Sequence, residues 1–107
     1  MAIYDLYGIR AECLEDAKVI VERMLGCTFV ERDGLYHGIH YICGAAPGEN
    51  FELNENRDPF EGVPNEEGFP TSKWLLYVND TARSKELQAV LTRDSDSVVL
   101  LRHEDLE

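Results

Sequence analysis

Two histidines, three cysteines and a run of carboxylates are the residues whose types and spacing could do chemistry. His37-x-x-His40 has the spacing of two metal ligands on one helix face. It lies, however, in residues 35–43 (LYHGIHYIC), which read as a strand, where side chains alternate faces. Positions three apart then point to opposite sides, and a shared metal needs a bulge, for which Gly38 is the place. Ordinary hydrogen-bonded or exposed histidines are expected, and no metal. Cys13, Cys27 and Cys43 form no CxxC pair and sit in or beside apolar runs, so buried free thiols in a reducing compartment are expected. A nucleophilic cysteine needs a neighbouring base, and the sequence pairs none of them with His37 or His40. No GxSxG, HExxH or Walker pattern is present, and residues 44–48 (GAAPG) lack the GK[ST] of a phosphate loop. No catalytic residue and no cofactor is therefore expected.

The carboxylates form the strongest signal. Residues 49–67 hold seven acids (Glu49, Glu52, Glu55, Asp58, Glu61, Glu66 and Glu67) against one base, Arg57. That is more than half of the chain's net charge of −11. Phe51, Phe60 and Phe69 are interleaved with them, and Trp74 follows. Acids mixed with aromatics suit a surface for a basic partner, the aromatics anchoring and the acids steering. Glu49, Glu52, Glu55, Asp58, Phe60, Glu61, Glu66 and Glu67 are the expected partner-binding residues. The plainer alternative is a solvated acidic loop whose phenylalanines tuck into the core. A pair of hydrolytic carboxylates is a third reading, without an evident concave scaffold behind it.

The whole chain of 107 residues, with 44% hydrophobic and 29% charged residues, fits a single globular domain, residues 1–107. Ten Lys+Arg against 21 Asp+Glu exclude the basic face that nucleic acid or an anionic membrane requires. No apolar run reaches the length of a transmembrane helix, and residues 1–12 do not read as a secretory signal, so a cytoplasmic location is expected. The oligomeric state is open.

The elements that must position these residues follow from periodicity. Residues 3–9 (IYDLYGI) read as a strand. Leu14, Ala17, Val21, Met24 and Leu25 trace one face of a helix that Gly26 stops, with a weak start at Glu12 and Cys13. Residues 27–32 and 35–43 read as strands about an Asp33-Gly34 hairpin turn, and 51–54 as a fourth. Residues 55–71, with three prolines and two glycines, form a long irregular acidic loop. Residues 73–78 read as a strand, Asn79, Asp80 and Thr81 as cap candidates for a second helix carrying Ala82, Leu87, Val90 and Leu91, and 98–101 as the last strand. The order β-α-β-β-β-loop-β-α-β predicts an α+β fold: a mostly antiparallel sheet of about six strands with two helices on one face.

Two resemblances bear on function. Residues 14–34 (LEDAKVIVERMLGCTFVERDG), with the Leu25-Gly26-Cys27-Thr28-Phe29 segment, resemble a β-α-β-β-β module of the vicinal-oxygen-chelate superfamily, the glyoxalase and bleomycin-resistance group. Residues 49–53 (ENFEL) resemble the strand in which that family often places a metal-binding glutamate, at Glu52. The likeness covers residues 14–54. It implies a small-molecule binding protein or metalloenzyme, with Glu52, His37 and His40 as candidates. The first strand departs from it, offering Tyr4, Asp5, Leu6 and Tyr7 where the family presents His or Gln. As a short, strongly acidic α+β chain without a catalytic signature, the protein is also similar in kind to the immunity proteins of bacterial polymorphic toxins, including contact-dependent growth inhibition systems. That resemblance implies a non-enzymatic inhibitor whose partner is a basic cognate toxin domain, such as a nuclease.

Overall fold

Helix α1 (Leu14–Leu25) forms where the apolar spacing places it, with Ala17 and Val21 buried on its inner face. Gly26 adopts φ 67° and donates its N–H to the Glu22 carbonyl, closing the helix as a left-handed cap. At the other end Cys13 is the cap, its Sγ accepting from the Asp16 N–H at 3.4 Å, a weak acceptor in a position that favours oxygen. The computed structural model describes residues 3–34, 38–45 and 47–105.

The other elements are β1 (Ile3–Ile9), β2 (Val30–Gly34), β3 (Gly38–Cys43), β4 (Asn50–Glu55), β5 (Trp74–Thr81), α2 (Ser84–Leu91) and β6 (Val98–Asp105). They build one six-stranded sheet in the order β2-β3-β4-β5-β1-β6, and the pairings are antiparallel. Helix α1 carries the chain from β1 to the far edge, the meander β2 to β5 returns it beside β1, and α2 sets β6 outside β1. The fold is α+β, with the expected element order.

Both helices pack on one face. Ala17, Val21, Leu87 and Leu91 join Tyr7, Ile9, Tyr41, Phe51, Leu53, Trp74, Leu76, Val78 and Val98 in a single buried cluster. The opposite face is also covered. Leu75 lies between Trp74 and Leu76, and strand alternation turns it away from the helices, yet it is fully buried. Leu6, paired with Tyr77 on one side and Arg102 on the other, is buried there too. The cover is the irregular segment after β4. Asn56 donates its side-chain N–H to the Phe69 carbonyl at 2.9 Å and accepts from the Glu66 N–H at 2.8 Å. A Cβ built on Gly8 would meet Ser72 Oγ at 2.9 Å, so the end of the same segment lies against β1.

Four local expectations are corrected. Asp33 and Gly34 are not a turn: they pair with Ile39 and Gly38, so β2 runs through them. The connection, residues 35–37, lies outside the described residues, and His37 with it. β2 also starts later than residue 27, at Val30, because the N–H of Phe29 is held by the Glu22 carboxylate at 2.8 Å. Asn79, Asp80 and Thr81 do not cap α2; they continue β5, where Thr81 pairs with Ile3. Arg83 occupies the cap position, its N–H donated to Thr81 Oγ1. The cysteines are not fully buried: Cys13 is exposed, and Cys27 and Cys43 are half-buried at the margin of the core.

Candidate functional site

The eight expected partner-binding residues fall into separate places. Glu49 sits where β4 begins, at the end of the sheet where β5 finishes. Its carboxylate takes a bidentate ion pair from Arg83, the shortest contact 2.6 Å, and accepts from Thr81 Oγ1 at 2.7 Å. Glu52 lies mid-strand on the face away from the helices, opposite Tyr77. Glu66 reaches the same face from the irregular segment. It accepts from the Tyr77 hydroxyl on β5 at 2.7 Å and from Arg102 on β6 at 2.7 Å, so it bridges two strands over Leu6. Glu67 is exposed beside it. Glu55, Asp58, Phe60 and Glu61 gather at the opposite end of the sheet, where β4 ends.

Glu49 and Glu66 are therefore committed to intramolecular bonds, and their titration reflects it. Hydrogen bonds from Arg83, offset in part by burial and reinforced by Thr81, hold the Glu49 carboxyl below the usual carboxylate range. Burial pushes Glu66 up, but hydrogen bonds from Arg102 and Tyr77 outweigh it and its pKa is also lowered. Burial first, then the Glu66 hydrogen bond, pushes the Tyr77 phenol well above its ordinary value. A carboxyl whose folded pKa is depressed contributes stability above its unfolded value, near 4.3, and loses it as pH falls through the folded value. Urea unfolding followed from pH 6 to pH 2.5 should show stability dropping below about pH 4.5. The double variant E49Q/E66Q should start less stable and fall less over that window.

The aromatics also divide. Phe51 and Trp74 are core residues, and the Trp74 indole donates to the Ala11 carbonyl at 2.8 Å. Phe69 is half-buried. Phe60 is 68% exposed. What holds it out is a closed turn. Asp58 Oδ1 accepts from the N–H groups of Phe60 (2.8 Å) and Glu61 (3.0 Å). The Asp58 N–H donates to the Val63 carbonyl, and the Gly62 N–H to the Asp58 carbonyl, each at 2.8 Å. Gly62 takes φ 72°, a conformation that disfavours other residues, so the turn has one shape. Beside it a cleft of about 390 Å³ is lined by Leu14, Gly38, Ile39, Pro59 and Trp74, with Glu55 and Arg57 as its charged groups. Exposed Ile39 and Val63 extend the apolar surface. Glu15 and Asp16, in the first turn of α1 next to Leu14, add acids at the same end.

A second polar cluster joins residues too far apart in the chain for their spacing to announce it. Asp5, on β1, has a fully buried carboxylate that accepts from Ser84 Oγ at the start of α2 and contacts His103 Nδ1 on β6, both at 2.5 Å. Ser84 Oγ lies 3.4 Å from that same ring nitrogen. A hydrolytic serine gives its proton to the imidazole nitrogen that faces away from the carboxylate. Here the hydroxyl is donated to the carboxylate instead, an arrangement that braces three elements.

Among the described residues no group of three or more His, Cys, Asp or Glu could hold a metal ion. Glu52 and His40 share a sheet face; His40 Nδ1 is 2.9 Å from the Gly38 carbonyl. No described helix is long and apolar enough to cross a membrane. No family model and no curated protein sequence matches this chain.

Proposed function

We propose that the protein is an acidic protein-binding module whose contact surface is the Asp58–Val63 turn, and that it acts as an immunity-type inhibitor of a basic toxin domain. The observation that carries the first part is Phe60: a large aromatic side chain held in water by a turn closed by four hydrogen bonds of its own. An exposed aromatic on a rigid support forfeits its burial energy until a partner covers it, and little ordering remains to be opposed on binding. Glu55, Asp58 and Glu61 surround it, so a basic surface is drawn in by charge and then anchored by the ring. The adjoining cleft suits the apolar stem of an arginine or lysine whose head meets Glu55 or Glu61.

The inhibitor part rests on the charge of the whole chain, net −11, which suits capture of a basic domain at high rate. The test uses the basic C-terminal domain of any secreted protein encoded immediately upstream. Co-expression with the wild-type chain should restore growth, and titration calorimetry should give a 1:1 complex. Phe60→Ala should weaken binding at least tenfold, in line with loss of a central aromatic anchor. Raising salt from 50 to 500 mM should slow association about tenfold with a smaller effect on dissociation. An association rate indifferent to salt would remove the steering argument, and unchanged affinity of Phe60→Ala would remove the turn.

A further inference from the structure

Strand β6 ends the sheet beside β1, and among the described residues no strand pairs with its outer edge. An unpaired edge is a template for another strand, and proteins that leave one unused blunt it with charge, shortness or a bulge. The opposite edge, β2, is blunted: it has five residues, and pairing it with a second copy about Arg32 sets Arg32 against Arg32 and Glu31 against Asp33. β6 has eight residues, and its bulge has a different consequence. Tyr7 pairs with Leu100 and Leu6 with Arg102, so Leu101 is the extra residue and the alternation of faces is reset there. Val98 joins the core beneath the helices, and Leu100 packs against that core. His103 reaches Asp5 and Ser84, and Asp105 lines the cleft beside α2. These four face the helices. A Cβ built on Gly8 would lie 3.3 Å from Leu101 and 3.5 Å from Val99, beside Ser72. Arg102 binds Glu66, and Glu104 binds Arg102. Val99, Leu101, Arg102 and Glu104 therefore face the other way. The order of faces along residues 98–105 is the same from either end.

We propose that β6 is a homodimer interface, pairing antiparallel with β6 of a second copy about a two-fold axis between Leu101 and Arg102. In that register Val99 lies opposite Glu104, Leu100 opposite His103 and Leu101 opposite Arg102. Each pair shares a face, so the two sheets continue as one with both pairs of helices on the same side. Without the bulge this register would set residues facing the helices against residues facing away. The occupant is a second copy because the two halves of the strand complement each other in charge. Val99 and Leu101 border a depression of about 450 Å³ whose charged groups are Arg10 and Lys73, with no acid, in a chain of 21 acids and 10 bases. Arg10 makes no ion pair among the described residues. Glu104 of the second copy, opposite Val99 and on the same face, lies two strand spacings, about 10 Å, across the sheet from Arg10. The two side chains span that gap together, and the symmetry makes the pair twice. The two Leu101 side chains meet beside the axis and cover each other. The Asp58–Val63 turn takes no part, so the inference stands apart from the inhibitor reading.

Sedimentation equilibrium of the chain from about 5 to 500 μM in 0.15 M salt tests it. At that salt the Debye length is about 8 Å, which screens the mutual repulsion of two chains of net charge −11. The expected result is a monomer–dimer equilibrium. Arg10→Glu alone and Glu104→Lys alone should each weaken the dimer about tenfold or more. Both side chains are exposed, so the circular dichroism of each variant should match that of the wild type. Mixing the two variants should restore a heterodimer of near wild-type affinity, since each exchanged charge then meets its opposite across the axis. Amide exchange in residues 98–105 should slow as protein concentration rises, and exchange in β2 should not. A monomer across the whole range, a dimer whose affinity ignores both variants, or two variants that fail to rescue each other would each overturn the proposal.

Discussion

Replacing Asp5 with alanine is expected to lower the unfolding free energy by about 3 kcal/mol, the range for removing one member of a buried charged cluster. The carboxylate is the common acceptor for Ser84 and His103, residues from two different elements. Without it, the Ser84 hydroxyl remains at a 5% exposed site with its acceptor gone. A hydrogen bond to an ionised acceptor contributes about 1.5–3 kcal/mol, and the orphaned donor adds its own desolvation cost. Asp5→Asn keeps the volume and one acceptor oxygen but turns an amide N–H toward one of the two donors, so its cost should lie between those of the wild type and alanine. Urea unfolding at pH 7 measures both. A loss under about 1 kcal/mol for Asp5→Ala would mean that water substitutes for the carboxylate and that the three elements are not braced through it.

Leu75→Ala should cost about as much as Leu76→Ala, roughly 3 kcal/mol each. The pair is informative because adjacent strand residues face opposite ways. Leu76 belongs to the core beneath the helices, and a large penalty there is ordinary. Leu75 faces the other side, where a two-layer sheet would leave it in water and its truncation would be nearly neutral. It is fully buried because the segment between β4 and β5 lies over it. Limited proteolysis gives a second readout. Leu75→Ala should speed cleavage within residues 57–71 far more than Leu76→Ala does at equal global stability, since the first loosens the segment's own seat. Equal cleavage rates would place the cover of Leu75 elsewhere.

The same segment shows why the acidic stretch could be recognised in the sequence but not apportioned. Seven carboxylates in nineteen residues mark a surface, yet charge alone does not say which of them the protein uses for itself. Glu49 and Glu66 find Arg83 and Arg102, residues 34 and 36 positions away. Glu55, Asp58 and Glu61 stay together because a proline-containing turn closes locally, through bonds two to five residues apart. Local chemistry of that kind is written in the sequence; long-range pairing is not.

What the sequence determined by itself is what depends on near neighbours. The 3.6-residue apolar period and Gly26 set α1 from end to end. Strand alternation set the number and order of the strands, and composition set the acidic surface and its exposed turn. Where a neighbour in space competed with a neighbour in sequence, space prevailed. Asp33-Gly34 has the composition of a tight turn, but pairing with β3 carries the strand through it. Thr81 has the composition of a helix cap, but its pairing with Ile3 and its bond to Glu49 keep it in β5. Only the tertiary structure could join Asp5 to Ser84 and His103, 79 and 98 residues away, or lay an irregular segment over Leu75. The reason is common to both: each contact is decided by how the sheet is ordered, and that order minimises exposed apolar surface over the whole chain, a quantity that no local stretch of residues encodes.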